Sequence, residues 1–207
     1  MNHLDASLFR AMNRLADRTS WAHGATVAYA KVGIVAFAAM LVLGWWTARS
    51  GADLDMMARV LWAGTGAVVA LGLNQVIGGM VDRARPYATL PGVHVLVSRT
   101  SDFSFPSDHA VVVGAIATGL LLAHRRLGSV AVVLALMMAA ARVYVGAHYP
   151  ADVVAGLGLG AVVLVAGGVL AVPLLHRVLG PVERSPLRPL ICRAEASEEP
   201  LAVGHRS

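Results

Sequence analysis

Charged side chains are scarce in this sequence. Only 14% of its 207 residues are Asp, Glu, Lys or Arg, whereas soluble domains contain about 25%. Hydrophobic residues make up 57%, so the composition argues against a soluble enzyme and indicates an integral membrane protein. Because the apolar excess consists of Ala, Val, Leu and Gly, it suits closely packed helices better than a β-barrel.

Cysteine and lysine are almost absent. Cys192 is the only cysteine, which excludes an intrachain disulfide and indicates no particular compartment. Lys31 is the only lysine, so the formal net charge of +5 rests on arginine. The arginines are scattered between apolar runs, which disfavours nucleic acid as a partner and favours membrane lipids or phosphate.

Apolar segments long enough to cross a bilayer dominate the chain, since a core of about 30 Å requires about 20 helical residues. Five such segments lie at 25–48, 56–81, 107–124, 128–147 and 151–175. Within residues 1–24, apolar side chains recur at helical spacing, at Leu4, Leu8, Phe9, Met12 and Leu15. The arginines of this segment form a separate stripe. This pattern predicts an amphipathic helix in the membrane interface, with a solvated leader as the alternative.

The predicted fold is therefore an all-α integral membrane bundle of five transmembrane helices plus an N-terminal interfacial helix. Residues 1–178 form the membrane domain, and residues 179–207 are expected to be a polar cytoplasmic tail. Prolines oppose long helices in and just before this tail, namely Pro173, Pro181, Pro186, Pro189 and Pro200. The positive-inside tendency places the loop 82–106 and the turn 147–150 on the outer side of the membrane.

Three polar clusters interrupt the apolar background, each at the end of a predicted span on that same side. They are Asp82 to Tyr87, Ser104 to His109, and Arg142 to Asp152. An ionisable group at membrane depth costs about 2.5–3.5 kcal/mol on insertion scales. Their convergence therefore predicts a functional site.

The second cluster contains a helix start. Pro106-Ser107 predicts Ser107 as N-cap, and the free N–H groups after it favour an anion. His109 then stands in the first turn, beside whatever anion binds there. A plain cap without a ligand is the alternative.

The third cluster pairs a histidine with an acid. Pro150 suits the first turn of the fifth span and places Asp152 four residues after His148. An aspartate that holds one ring nitrogen fixes the tautomer and leaves the other nitrogen free to attack. An interfacial histidine beside a capping aspartate is the alternative.

Two arginines complete the clusters. Arg85 and Arg142 carry planar, permanently charged forks that match phosphate geometry. With the histidines and a helix N-terminus, they predict a phosphate site without a metal. A metal triad of His109, His148 and Asp152 is the rival interpretation, but the arginines would repel a divalent cation.

The clusters resemble the motifs of the type-2 phosphatidic acid phosphatase superfamily. Arg85-Pro86, Pro106-Ser107-Asp108-His109 and Arg142-x5-His148-x3-Asp152 match that family in order, type and placement. The resemblance implies a core like that of acid phosphatases and vanadium haloperoxidases, and no cofactor.

The resemblance also implies a role for each residue. His148 is the nucleophile, His109 is the general acid and base, and Asp152 orients His148. Phosphate is then bound by Arg85, Arg142, and the backbone of Ser107 and Asp108.

Three positions depart from the family pattern: Gly78 replaces a lysine, Asp108 a glycine and Ala141 a serine. We expect Arg83 or Lys31 to supply the lost charge. The sequences at 104–110 and 145–153 resemble the bacitracin-resistance branch of undecaprenyl-diphosphatases. This implies hydrolysis of undecaprenyl diphosphate, a polyprenyl diphosphate lipid, on the outer (periplasmic) face of the bacterial cytoplasmic membrane, for recycling of the cell-wall lipid carrier.

Two alternatives to this function remain open. The first keeps the chemistry and changes the substrate to phosphatidate, phosphatidylglycerophosphate or another lipid phosphate, because the motifs contact phosphate and not the lipid. The second is a transporter or proton channel that uses membrane histidines. Clustering of the polar residues at one face, away from the midplane, disfavours it.

Overall fold

The chain folds entirely into helices and loops within the part that the computed structural model describes, residues 3–192. The helices are α1 (His3–Arg18), α2 (His23–Val32), α3 (Ile34–Ser50), α4 (Leu54–Val81), α5 (Pro86–Thr89), α6 (Asp108–Ala123), α7 (Arg125–Tyr144) and α8 (Pro150–Glu183). Short 3₁₀ turns lie at Ser20–Ala22 and Arg188–Leu190. The predicted all-α class is confirmed.

Helix α6 lies in the middle of the bundle, packed against α4, α7 and α8. Small residues allow this, because they let helix backbones approach closely in a membrane. A Cβ added at Gly160 of α8 would lie 2.3 Å from the carbonyl oxygen of Val111, and one at Gly156 would lie 2.8 Å from that of Ser107. These contacts hold the N-terminal parts of α6 and α8 side by side.

All five predicted apolar segments are helical, but only α4, α7 and α8 are both long and apolar enough to cross a membrane among the described residues. The bent pair formed by α2 and α3 is a fourth candidate. Helix α6 has 16 residues and measures about 24 Å, which is shorter than a bilayer core. Whether α6 crosses the membrane as a fifth span stays a prediction.

The first predicted span is bent. One helix was expected over 25–48, whereas α2 and α3 meet at 53° around Gly33. A Cβ at Gly33 would lie 2.5 Å from the carbonyl oxygen of Tyr29, so the bend requires glycine.

The end of the last helix was predicted too early. Helix α8 continues through Pro173 and Pro181 to Glu183, beyond the expected end at 175 and the boundary at 178. Each proline removes only one backbone donor, and the bonds on either side keep the helix intact. Residues 184–192 of the predicted tail fold back on α3, where Trp45 and Arg49 donate to the carbonyls of Leu190 and Pro189. Residues 193–207, including Pro200, lie outside the described residues.

Helix α1 confirms the predicted N-terminal helix, but its apolar residues do not all face the same surroundings. Phe9 is fully buried against the protein, whereas Leu4, Leu8 and Leu15 are about half exposed or more. The leucines are therefore available to lipid, and the interfacial position of α1 remains a prediction.

The close packing of α6 and α8 predicts a position-specific effect of alanine on α8. Gly160→Ala should lower the free energy of unfolding by about 1–3 kcal/mol through overpacking. Gly158→Ala, two residues away, is the matched control, since a Cβ there meets nothing within 4 Å. Thermal unfolding in detergent measures both, and equal midpoints would contradict the packing described here.

Candidate active site

The three polar clusters meet at one end of the bundle around a cavity of about 340 Å³. Five of the seven predicted site residues and one of the two auxiliary cations line it. The lining consists of Ala30, Lys31, Arg85, Tyr87, Val97, Ser98, Thr100, Asp102, Asp108, His109, Arg142, Ala147 and His148. Helix ends and the loop 82–107 supply nearly all of these positions, as the sequence predicted.

His148 lies at the back of this cavity, with only 2% of its surface exposed. Its Nδ1 lies 2.8 Å from the carbonyl oxygen of Ser104, and its Nε2 lies 3.2 Å from Nη1 of Arg85 and 3.3 Å from Nη2 of Arg142. A guanidinium only donates hydrogen bonds and a carbonyl only accepts them. The ring therefore carries its proton on Nδ1 and presents a lone pair at Nε2.

The surroundings of His148 also keep it uncharged. Burial lowers the pKa of His148 below its ordinary value of about 6.5, and the guanidinium charges of Arg142 and Arg85 act in the same direction. The Asp152 carboxylate opposes the shift without reversing it. A neutral imidazole with a free lone pair is the form that a nucleophile needs.

The turn before His148 depends on one glycine. Gly146 adopts a positive φ of 79°, and a Cβ there would lie 2.7 Å from the carbonyl oxygen of His94. The neighbouring carbonyl of Val145 accepts the N–H of Leu96 at 3.0 Å. The loop and the turn are thus held together just ahead of the nucleophile.

Arg85 is held by a carboxylate that sequence reasoning missed. Asp102 accepts from Nε at 3.1 Å and from Nη2 at 3.0 Å of Arg85, while Nη1 also donates to the carbonyl of Ala147 at 3.0 Å. Although burial opposes it, hydrogen bonds from Thr100 and Arg85 hold the pKa of Asp102 below its usual value. Asp102 follows 17 residues after Arg85 in an irregular loop, so no periodic signal in the sequence pointed to it.

Arg142 and Ser107 retain unused polar atoms. Nε of Arg142 and Oγ of Ser107 are buried and have no hydrogen-bond partner among the described residues, although Nη1 of Arg142 donates to the Ala30 carbonyl at 3.4 Å. Ser107 occupies the predicted N-cap position, but its side chain does not cap α6. Because buried polar atoms are nearly always paired, these atoms indicate a polar ligand.

Asp152 is less directly attached to the nucleophile than predicted. Its Oδ2 lies 3.8 Å from Nδ1 of His148, beyond hydrogen-bond distance, and instead accepts from Ser104 Oγ at 2.6 Å and from the Tyr149 N–H at 2.8 Å. Ser104 connects the two, since its carbonyl accepts from His148. Ser104 and His148 are 44 residues apart in the sequence, so the spacing of the motifs did not reveal this role of Ser104.

Asp108 and His109 open the first turn of α6, and both side chains line the cavity. Asp108 accepts hydrogen bonds from Asn74 at 2.6 Å and from Gln75 at 2.8 Å, both on α4. Asn74 also donates to the carbonyl of Pro106 at 3.1 Å. The start of α6 is therefore fixed to α4, and His109 faces the same space as Nε2 of His148.

The two auxiliary cations, Lys31 and Arg83, occupy different positions relative to the cavity. Lys31, at the end of α2, lines the cavity. Arg83 does not line it, and it donates from Nη1 to Asp152 at 2.6 Å and from Nη2 to Asp5. Of the two cations expected to supply the lost charge, the geometry therefore favours Lys31, because the Arg83 guanidinium is already shared by two carboxylates behind the nucleophile.

This arrangement can now be compared with known proteins. The family described as the PAP2 superfamily matches residues 59–172, more than half of the chain. The chain belongs to the PAP2 superfamily. The resemblance inferred from the three motifs is thereby confirmed, and the matched range runs from α4 to the middle of α8.

Three similar proteins extend the comparison. The chain is 33% identical to the bacitracin transport permease protein BcrC of Bacillus licheniformis, over 77% of this chain and 76% of that protein. It is 30% identical to the undecaprenyl-diphosphatase BcrC of Bacillus subtilis, over 74% and 77% respectively. The crystal structure of Aquifex aeolicus LpxE superimposes with a TM-score of 0.61 at 22% identity, covering 80% of this chain and 94% of LpxE.

These findings define the general class of the protein. It is a membrane-embedded helical phosphatase of the PAP2 superfamily, and its substrate is a membrane lipid phosphate.

The cationic surroundings of His148 predict its titration. In ¹⁵N-histidine-labelled protein, the His148 resonance, assigned by its loss in His148→Ala, should protonate at a pH below 6.5. Arg142→Gln removes one facing cation and should move that midpoint to higher pH. Arg59→Gln, which breaks an ion pair with Asp55 on α4, is the control and should leave it in place. A midpoint that falls or stays fixed in Arg142→Gln would contradict this electrostatic account.

Proposed function

We propose that this protein is an undecaprenyl-diphosphate phosphatase that works through a phosphohistidine, without a metal. The observation that carries the proposal is the convergence of two guanidinium groups on the lone pair of His148, at 3.2 and 3.3 Å. The same donors that now face Nε2 would bind the phosphate oxygens of a substrate. When the phosphate oxygens accept these hydrogen bonds in place of Nε2, the Nε2 lone pair becomes free and faces the bound phosphorus atom.

In the first step, Nε2 of His148 attacks the terminal phosphorus in line with the bond to the leaving oxygen. The N–P bond forms as the P–O bond to undecaprenyl phosphate breaks. His109 donates a proton to the departing oxygen. Arg85, Arg142 and the N–H groups at the start of α6 stabilise the charge on the three equatorial oxygens.

The imidazole gains positive charge during this attack. Nδ1–H continues to donate to the Ser104 carbonyl, and the Asp152 carboxylate stands 3.8 Å behind it. Both favour the charged ring more than the neutral one, so they lower the barrier.

In the second step, water attacks the phosphohistidine. His109, now unprotonated, accepts a proton from that water as the new O–P bond forms and the N–P bond breaks. Inorganic phosphate leaves, and His148 regains its neutral form with the proton still on Nδ1.

The substrate assignment draws on the relatives. The B. subtilis relative, 30% identical over most of its length, is an undecaprenyl-diphosphatase. Lys31 places a further cation at the cavity, which suits the second phosphate of a diphosphate. We infer an active site on the outer face of the cytoplasmic membrane, where the carrier lipid would be recycled for cell-wall synthesis.

Phosphate release from pure lipids tests the substrate. Purified protein in EDTA should hydrolyse undecaprenyl diphosphate with a higher kcat/KM than phosphatidylglycerophosphate, and His148→Ala should lower the rate about a thousandfold or more. Faster hydrolysis of phosphatidylglycerophosphate would favour the other lipid phosphatase assignment. No hydrolysis of either lipid by folded protein would contradict the proposed substrate.

The covalent intermediate has its own test. His109→Asn removes the base of the second step, while the first step still proceeds because a phosphate monoester is a good leaving group. Label from the terminal ³²P of undecaprenyl diphosphate should then accumulate on the protein and be released by acid but not by alkali. His148→Ala should acquire no label; equal labelling of that variant would exclude His148 as nucleophile.

Lys31 should act in binding and not in chemistry. Lys31→Gln should raise KM for undecaprenyl diphosphate about tenfold, equivalent to about 1.4 kcal/mol, with little change in kcat. The effect should be smaller for a lipid monophosphate, which lacks the second phosphate. An unchanged KM for the diphosphate would remove Lys31 from the site.

A further inference from the structure

A chain of ion pairs runs behind the nucleophile, on the side away from the cavity. Arg83 lies at its centre and joins Asp5 of α1 to Asp152 of α8, with Nη1 2.6 Å from Oδ1 of Asp152 and Nη2 bonded to Oδ2 of Asp5. Asp152 is fully buried and Asp5 is 6% exposed. None of the motif residues explains why α1 carries a buried carboxylate.

Arg83 reaches His148 by two routes. Its side chain binds Asp152, and its main-chain carbonyl accepts the N–H of Ser104 at 2.8 Å. Ser104 in turn donates from Oγ to Asp152 and accepts Nδ1–H of His148 through its carbonyl. The tautomer of the nucleophile thus depends on a segment that Arg83 holds at both its main chain and its side chain.

Asp5 also connects this chain of ion pairs to the start of α8 through a hydrogen bond. Its second oxygen, Oδ1, accepts the N–H of Ala151 at 2.9 Å, in the same helical turn as Asp152. The Arg83 guanidinium lies 4.1 Å from the ring centroid of Tyr149, and Phe9 of α1 packs on the same ring at 5.5 Å. Helix α1 therefore closes over the segment that carries the nucleophile and its acid.

The charges of this chain oppose those of the cavity. Two carboxylates share one guanidinium, which leaves one negative charge on the Nδ1 side of His148, whereas Arg85 and Arg142 stand on the Nε2 side. A buried carboxylate without a cation would be costly, so Arg83 also allows Asp152 to remain ionised where it is. The field points in the direction that favours positive charge on the ring during attack.

We propose that Asp5 and Arg83 are positioning residues for His148, acting through Asp152 and Ser104 and not through the substrate. The proposal rests on His148 being the nucleophile, as proposed above. It gives helix α1 a role in catalysis as well as in membrane contact. In this proposal Arg83 positions the nucleophile and does not bind phosphate.

The first test compares two aspartates of α1. Asp5→Asn should lower kcat about 10- to 100-fold, the range seen when hydrogen-bond partners behind metal-bound ligands are removed. KM and inhibition by inorganic phosphate should change less than about twofold. Asp17→Asn is the matched control, because Asp17 also bonds to a loop residue, His94, but touches neither Arg83 nor α8. Equal effects of both substitutions, or none, would overturn the proposal.

The second test uses the pH dependence of kcat/KM, whose acidic limb follows protonation of His148. Charged and titratable groups around that ring are Arg85, Arg142, Lys31, His109, Tyr87, Asp108, Asp102 and Asp152. Arg83→Gln leaves Asp152 without its cation and should move the limb to higher pH, whereas Asp5→Asn removes a negative charge and should move it to lower pH. Shifts of opposite sign are not expected from a purely structural role.

Arg83→Lys keeps the charge and should place the limb close to that of the wild type, with kcat between those of wild type and Arg83→Gln. A rise in KM with unchanged kcat in Arg83→Gln would make Arg83 a phosphate ligand and overturn the proposal, as would a limb that does not move in folded variants. His148→Ala is measured alongside on the lipid that wild type hydrolyses. Activity retained by His148→Ala would refute the proposed mechanism. If His148→Ala is inactive but Asp5→Asn and Arg83→Gln behave like the wild type, only the positioning role of Asp5 and Arg83 is refuted.

Discussion

The fixed hydrogen-bond polarity around one buried histidine is the constraint on which the rest of the site depends. His148 has a carbonyl at Nδ1 and two guanidinium groups at Nε2, and neither kind of partner can exchange its role. One tautomer and one direction of attack follow. The cations that hold this geometry in the absence of a substrate are the groups that neutralise phosphate when it binds, so preorganisation and recognition use the same side chains.

Such a site is expensive to build at the end of a membrane bundle, and the packing of the bundle reflects that cost. The groups that contact His148 come from four places: the loop after α4, the loop before α6, the end of α7 and the start of α8. Their spacing is held by close glycine contacts between α6 and α8 and by hydrogen bonds from α4 to Asp108. Charge is scarce elsewhere in the spans because each isolated charge there would carry the same cost without a partner.

The sequence predicted features that depend on short spacing or on composition. Helical segments, the N-cap position of Ser107 and the closeness of His148 and Asp152 all follow from local periodicity and turn residues. Contacts between distant parts of an irregular loop carry no such signal. The carboxylate on Arg85, the carbonyl that accepts from His148 and the ion pair between α1 and Arg83 were therefore missed.

Local rules also failed where tertiary context overrode them. Proline was expected to end α8 near residue 175, but a helix among apolar neighbours has no better partners for its backbone than its own groups, and so it continues. A single span was expected across Gly33, where the backbone bends and brings Lys31 to the cavity. The two deviations involve Pro173 and Pro181 in one case and Gly33 in the other, and the conformational effect of these residue types depends on what surrounds them.

The missing motif lysine and the position of the loop before α6 are physically connected. A Cβ at Gly78 would lie 3.2 Å from Cδ2 of Phe103 and 3.4 Å from the carbonyl oxygen of Phe105, so the loop packs closely on α4 here and a larger residue would require the Phe103 ring to shift. That loop carries Ser104, whose carbonyl fixes the tautomer of His148. Glycine at 78 therefore gives up a cation and in return lets the loop approach closely. Lys31 places a positive charge at the cavity from another element, the last turn of α2.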